Sequence, residues 1–184
     1  MKKKLLISSI IIIAIILIMN IGLQFGNIRI GKQNDTLGIK EKSEIKNSKF
    51  YTRHLENDIL LNLWASWCKP CIEEMPLLND VKKKYSKKNI KFLSFSVDKD
   101  TVKLSKFNNS NKFNYKDITL QNLQYRTAIL NYLQNKPIEN KINSYSIPKT
   151  YILKNKKVIK IFKGGFKNTD KLISEIDKVL ENEE

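Results

Sequence analysis

The sequence predicts an α/β domain behind an apolar amino-terminal segment, and two patterns carry that prediction. The runs "DILLNLW" (Asp58 to Trp64) and "IKFLSFSV" (Ile90 to Val97) are short and mostly apolar, as in strands buried on both faces. The amphipathic stretch from Cys71 to about Lys88 joins them into a βαβ unit. Farther on, "KTYIL" (Lys149 to Leu153) and "VIKIF" (Val158 to Phe162) flank "KNKK", which marks a hairpin. A chain of 184 residues has room for one such domain with its own core, so no covalent staple is needed for folding.

At the amino end, residues 1–4 form a basic tip containing Lys2, Lys3 and Lys4. Next comes the uncharged stretch "LLISSIIIIAIILIMNIGL", Leu5 to Leu23. As a helix it would reach roughly 28 Å, close to the ~30 Å hydrocarbon thickness of a bilayer. It is expected to be a single-pass transmembrane anchor, retained because the following "NIGLQFGN" lacks the small-residue pattern of a signal cleavage site. The three lysines favour an inside amino terminus, although Arg29, Lys32, Lys40 and Lys42 beyond the span dilute the asymmetry. Residues 24–49 read as a polar linker with a short hairpin around Ile28 to Ile30. The folded domain is expected over residues 50–184.

The formal net charge is +16. Lysine runs such as "KKKYSKK" (Lys82 to Lys88) have no interleaved aromatics and no recognition motif, so no nucleic-acid partner is expected. They read as a solvated surface with weak attraction for anionic lipid headgroups.

Within the domain, Ile72, Met75, Leu78, Val81 and Tyr85 recur at three- and four-residue steps and form one helical stripe, with Pro76 expected to kink the helix. The closing helix starts at Asn168 or Thr169 and carries Leu172, Ile176, Val179 and Leu180 towards the sheet. From Cys71 to Pro148 is 77 residues, more than one helix and one strand require, and the extra material includes residues 115–146. Leu120 to Gln134 reads as an additional helix covering the sheet edge or, alternatively, bordering a substrate groove.

Both cysteines lie where a strand passes into a helix. At i and i+3 in the first turn, Cys68 and Cys71 are close enough to open and close a disulfide with small adjustment. A bridge across so short a loop stabilises little. A structural zinc site wants four ligands, and beside the two cysteines the chain has one histidine, His54, which reads as a polar residue at an Asn57–Asp58 turn. Unpaired N–H groups and the helix dipole favour a Cys68 thiolate by about 0.3–1 kcal/mol, and Lys69 adds in the same direction. Cys68 is therefore the expected nucleophile, reachable from solvent. Pro70 suits the first turn and stiffens the spacer.

Segment 50–182 resembles the thioredoxin-fold proteins, and within them the membrane-anchored, extracytoplasmic thiol:disulfide oxidoreductases of the TlpA/ResA type. The likeness rests on "NLWASWCKPC", "EEMP" and "SIPKTYIL". It implies a thioredoxin-like three-layer α/β/α fold with a central mixed sheet, and a helical insertion before the cis-proline strand. Cys68 matches the family's attacking cysteine, Cys71 the resolving one and Pro76 the helix-kinking proline. Trp67, Lys69 and Pro70 border the substrate. Pro148 matches the cis-proline, whose preceding residue, here Ile147, pairs with a bound substrate strand. Asn62 stands where cytoplasmic thioredoxins carry a buried aspartate. Glu74 matches the glutamate beneath the dithiol, with proton transfer at Cys71 as its implied role and a helix-dipole carboxylate as the plainer one. Glu73 suits the plainer role better.

The resemblance implies thiol–disulfide exchange without a cofactor or metal, more in the reducing direction. The expected partners are exported protein disulfides or apocytochrome c, with a membrane thiol donor. It places the chain in the bacterial cell membrane with the catalytic domain extracytoplasmic. A thiol peroxidase of the same fold and a non-enzymatic copper-binding relative are the rival classes. The first would set its cysteine in a threonine- and proline-containing loop, and the second would use wider cysteine spacing and a downstream histidine.

Overall fold

The computed structural model describes residues 23–25, 28–30, 41–110, 113–137 and 146–181. The chain divides into two compact units, Met1–Leu37 and Gly38–Glu184. In the first, strands β1 (Leu23–Phe25) and β2 (Ile28–Ile30) form an antiparallel hairpin at the place expected. The apolar span before it lies outside the described residues, except Leu23, which opens β1. Among the described residues no helix is long and apolar enough to cross a membrane.

The second unit begins earlier than the linker reading placed it. Ile45–Asn47 forms a 3₁₀ turn that buries Ile45, and helix α1 (Lys49–Arg53) follows with Phe50 fully buried. Ser48 makes this start: its hydroxyl accepts from Tyr51 N at 3.1 Å, satisfying one of the open N–H groups of the first turn. The cap is visible in the sequence, but the short apolar period beside it is not.

Strands β3 (Asp58–Trp64) and β4 (Ile90–Ser96) fall where the apolar runs place them, joined by α2 (Lys69–Lys84). All seven residues of β3 are buried, because it is the central strand of a five-stranded sheet ordered β5-β4-β3-β6-β7. It pairs parallel with β4 and antiparallel with β6 (Lys149–Lys154), so the sheet is mixed. Strand β7 (Lys157–Lys163) completes the hairpin, and helix α5 (Asp170–Glu181) follows it. Strand β5 (Lys116–Asp117) is too short to leave a sequence period.

Alternation along β3 separates two cores. Ile59, Leu61 and Leu63 share a cluster with Phe50 of α1, Leu104 of α3 (Thr101–Ser110) and Ile129 and Leu133 of α4 (Arg126–Leu133). Leu60 belongs to the other cluster, with Leu78 and Val81 of α2 and Leu172, Ile176 and Val179 of α5. Helices therefore cover both sheet faces, the three-layer arrangement expected. Each fully buried leucine or isoleucine contributes about 1.5–3 kcal/mol. The two helices of the second core are also tied by Tyr85, whose hydroxyl donates to Asp177 Oδ1 at 2.6 Å.

One element reading needs correction. The helix expected from Leu120 to Gln134 is split into a 3₁₀ turn, Leu120–Tyr125, and α4. Tyr125 stands at the junction outside helical geometry (φ −112°, ψ 14°). Within the turn Asn122 departs from it as well (φ −124°, ψ 17°) and uses its buried side chain as a tie. Its Nδ2 donates to the Ile118 carbonyl at 2.7 Å, and its Oδ1 accepts from Phe50 N at 2.9 Å. Pro76 lies within α2 without ending it. The insertion covers a sheet face through α4, whose Ile129 and Leu133 share a cluster with Leu61 and Leu63 of β3.

Candidate active site

Cys68 caps α2 in an extended conformation and is disulfide-bonded to Cys71. The first turn closes when its carbonyl accepts from Cys71 N at 3.0 Å and Ile72 N at 3.1 Å. Cys71 is fully buried and Cys68 is 5% exposed, so Cys68 is more enclosed than the open nucleophile the sequence suggests. Its sulfur is engaged in the closed disulfide, and Cys68 N donates to the carbonyl of Ala65, the residue after β3, at 3.0 Å. Its neighbours Trp67, Lys69 and Pro70 are all exposed, Trp67 by 57%, and any approaching chain meets them first. Lys69 pairs with Glu73 at 3.7 Å, an exposed contact worth little.

Beneath the disulfide sits Glu74, 1% exposed. Its Oε1 accepts from Asn62 Nδ2 at 2.9 Å, and its Oε2 accepts from Phe166 N at 3.1 Å. Asn62 also donates to Thr150 Oγ1 at 3.2 Å, its register partner on β6. Burial raises the Glu74 pKa from its ordinary 4.5 to about 7, against the lowering effect of the Asn62 and Phe166 hydrogen bonds. A carboxyl group poised near neutrality can take up or release a proton at working pH.

Ile147 and Pro148 are joined by a cis peptide bond, with Pro148 buried and Ile147 half-buried. The Pro148 carbonyl accepts from Gly164 N at 3.0 Å. A methyl group placed on Gly165 would sit 3.4 Å from the Pro70 carbonyl oxygen, 3.8 Å from Glu74 Oε2 and 3.8 Å from the Pro148 ring. The Gly164–Gly165 turn thus gathers the spacer, the carboxyl group and the proline around one point.

Sequence reasoning missed two contributors. One is the turn after β7 that brings Phe166 N to Glu74. Asp98, 3% exposed, holds the loop before Cys68: its carboxylate accepts from Ser66 N at 2.7 Å and from the hydroxyls of Ser66 and Ser96 at 2.8 and 2.6 Å. Arg126, from the insertion, donates to the Asp98 carbonyl at 2.6 Å. Nothing in the spacing of a lone aspartate after a strand signals that role. His54 is not part of this arrangement. It caps the end of α1 in a turn closed by Asn57 N on its carbonyl, and Asp58 opens β3 instead of turning. Among the described residues no group of three or more His, Cys, Asp or Glu side chains stands together to hold a metal ion.

The sheet order, the two helical layers and a cysteine pair at the head of α2 make this a thioredoxin-fold protein. It belongs to the Redoxin family, which matches residues 38–180, and is of the TlpA/ResA-like kind. Thiol-disulfide oxidoreductase ResA of Bacillus thuringiensis (strain Al Hakam) is 35% identical over 51 residues, which is 28% of this chain and 30% of that relative. Thioredoxin-like protein YneN of Bacillus subtilis (strain 168) is 29% identical over 137 residues, covering 74% of this chain and 70% of YneN. Among solved structures, a candidate thiol:disulfide interchange protein DsbE from Chlorobium tepidum superimposes with a TM-score of 0.54 at 20% identity, covering 68% of this chain and 82% of that one. StoA from Bacillus subtilis gives 0.50 at 16%, covering 64% and 81%. At these identities the structural likeness speaks for the fold alone.

Proposed function

We propose that the chain is a membrane-anchored thiol:disulfide oxidoreductase that reduces disulfides of exported proteins. The observation that carries this reading is the Cys68–Cys71 disulfide at the head of α2, with Glu74 buried beneath it. In the reduced enzyme the Cys68 thiolate attacks a client disulfide, and one client sulfur leaves as a thiolate and takes a proton. Cys71 then gives its proton to the Glu74 carboxylate and attacks Cys68 Sγ. The second client sulfur leaves, and two electrons have passed from the dithiol to the client. Ile147 offers backbone beside the site for the client strand, and Trp67, Lys69 and Pro70 form its rim.

The apolar segment Leu5 to Leu23 supports single-pass anchoring, with residues 1–4 inside and the domain in the extracytoplasmic space. A membrane thiol donor would then restore the dithiol. The TlpA/ResA likeness favours reduction, with apocytochrome c among the clients. Insulin reduction with dithiothreitol as donor tests the activity: Cys68→Ser is expected to abolish it. Undiminished turnover by that variant would reject the role.

A further inference from the structure

A cavity of about 450 Å³ lies at the other end of β4 from the disulfide. Trp64, just before the cysteines, pairs with Ser96, whereas the cavity opens at Ile90, opposite Asp58. The two ends are roughly 20 Å apart along the strand. Arg53, Lys82, Lys91 and Lys116 line it, one each from α1, α2, β4 and β5. Tyr85, Ile90, Phe92 and Leu93 supply its apolar side.

The four cations meet no carboxylate in the ion pairs among the described residues. Lys91 Nζ donates to the Arg53 carbonyl at 3.2 Å, and Lys82 Nζ donates to the Asn114 carbonyl. Each ammonium has hydrogens to spare. Gathering like charges without a counterion is unfavourable, and the end of α2 offsets little of it, because Lys82, Lys83 and Lys84 already occupy its last turn. His54 forms part of the same wall. It is 5% exposed, and neither ring nitrogen has a hydrogen-bond partner. Burial, and then the charges of Lys116, Lys91 and Arg53, lower its pKa to about 4, so the ring is neutral at pH 7 and offers one donor and one acceptor. Leaving such a group unpaired is costly, by about 1–3 kcal/mol.

We propose that this cavity binds a phosphate monoester with an apolar body, the phosphate among Arg53, Lys82, Lys91 and Lys116 with His54 as a further partner, and the body against Tyr85 and Phe92. A dianion answers the gathered positive charge better than a monoanion. The guanidinium fork of Arg53 suits phosphate oxygens, and the volume falls within the range of small-ligand sites. The same chemistry is found in soluble esters and in lipid headgroups.

His54 is the chain's one histidine, so its ring resonances report on this cavity without ambiguity. The test is a titration of the ¹⁵N-labelled full chain, in non-ionic detergent, with inorganic phosphate, phenyl phosphate and a short-chain phosphatidic acid, at ionic strength matched with chloride. Saturable shifts of the His54 signals are expected, with an organophosphate binding on the order of tenfold tighter than inorganic phosphate. The tighter of phenyl phosphate and the lipid identifies the source. Replacing two rim lysines together, Lys91→Gln with Lys116→Gln, is expected to weaken binding by a similar factor. Signals that do not saturate, shifts that chloride reproduces, or an affinity unchanged by the double substitution would overturn the proposal.

Discussion

Asn62 donates to Glu74 Oε1 at 2.9 Å, and this bond links the central strand to the carboxyl group beneath the disulfide. Asn62 Oδ1 has no partner. With the amide turned over, Oδ1 would accept from a protonated Glu74, so this residue can serve both protonation states. An aspartate there could not, because two buried carboxylates would compete for one proton.

Protonation of Glu74 and of His54 should act on stability in opposite directions. Glu74 has a folded pKa of about 7 against an ordinary 4.5, so the folded state binds more protons between these values. Stability from this group is fully present below pH 4.5 and falls through pH 7, by on the order of 3 kcal/mol. His54 has a folded value of about 4 against 6.5, so the unfolded chain binds more protons, and stability rises from pH 4 to 6.5 by a similar amount. The two slopes offset each other where they overlap. Urea midpoints across this range should rise with pH more steeply in Glu74→Gln and fall in His54→Gln, relative to the parent. Parallel curves for all three proteins would contradict both assignments.

Asn62→Ala removes a hydrogen bond that favours the Glu74 carboxylate, so the Glu74 pKa should move further up. In the reduced protein, the pH profile of Cys71 alkylation is expected to lose its inflection near 7 in Glu74→Gln and to shift it upward in Asn62→Ala. The Asn62→Ala protein should also be about 1–3 kcal/mol less stable, because buried partners lose a donor. Unchanged alkylation profiles in both variants would remove Glu74 from the proton path.

Gly164 and Gly165 should respond differently to alanine. Gly164 has φ +85°, a conformation that costs an L-residue about 1–2 kcal/mol, whereas a methyl on Gly165 meets only ordinary contacts. Thermal melts should show Gly164→Ala clearly destabilised and Gly165→Ala close to the parent.

Asp98 accepts three hydrogen bonds from Ser66 and Ser96, so Asp98→Ala leaves buried donors unpaired and frees the loop before Cys68. A loss of about 2–3 kcal/mol is expected, with slower reaction at Cys68 even under conditions where the variant is folded. Partial recovery of the alkylation rate in Asp98→Asn, which keeps one acceptor, would mark the role as positioning the loop.

The legible parts of this molecule were those with a period or a motif. Seven buried residues in β3 and the stripes on α2 and α5 all write burial directly into residue order. The short elements did not. Ile45 and Phe50 are isolated apolar residues in a polar stretch of sequence, β5 is only two residues, and the 3₁₀ turn before α4 is tied by Asn122 to Phe50, 72 residues away. At the site, Cys68, Cys71, Glu74 and Pro148 stand out through the family pattern. Asp98, Thr150 and the Phe166 amide contribute through tertiary contacts 32 to 92 residues away, which no local window contains.

In the proposed exchange Cys68 forms the bond to the client and Cys71 resolves it. Incubating reduced Cys71→Ser protein with a disulfide-bonded peptide and mapping the product by mass spectrometry tests it directly. A mixed disulfide is expected at Cys68 that dithiothreitol releases and that Cys68→Ser cannot form at all. An adduct carried by Cys71 in the Cys68→Ser protein, or none in either variant, would contradict it.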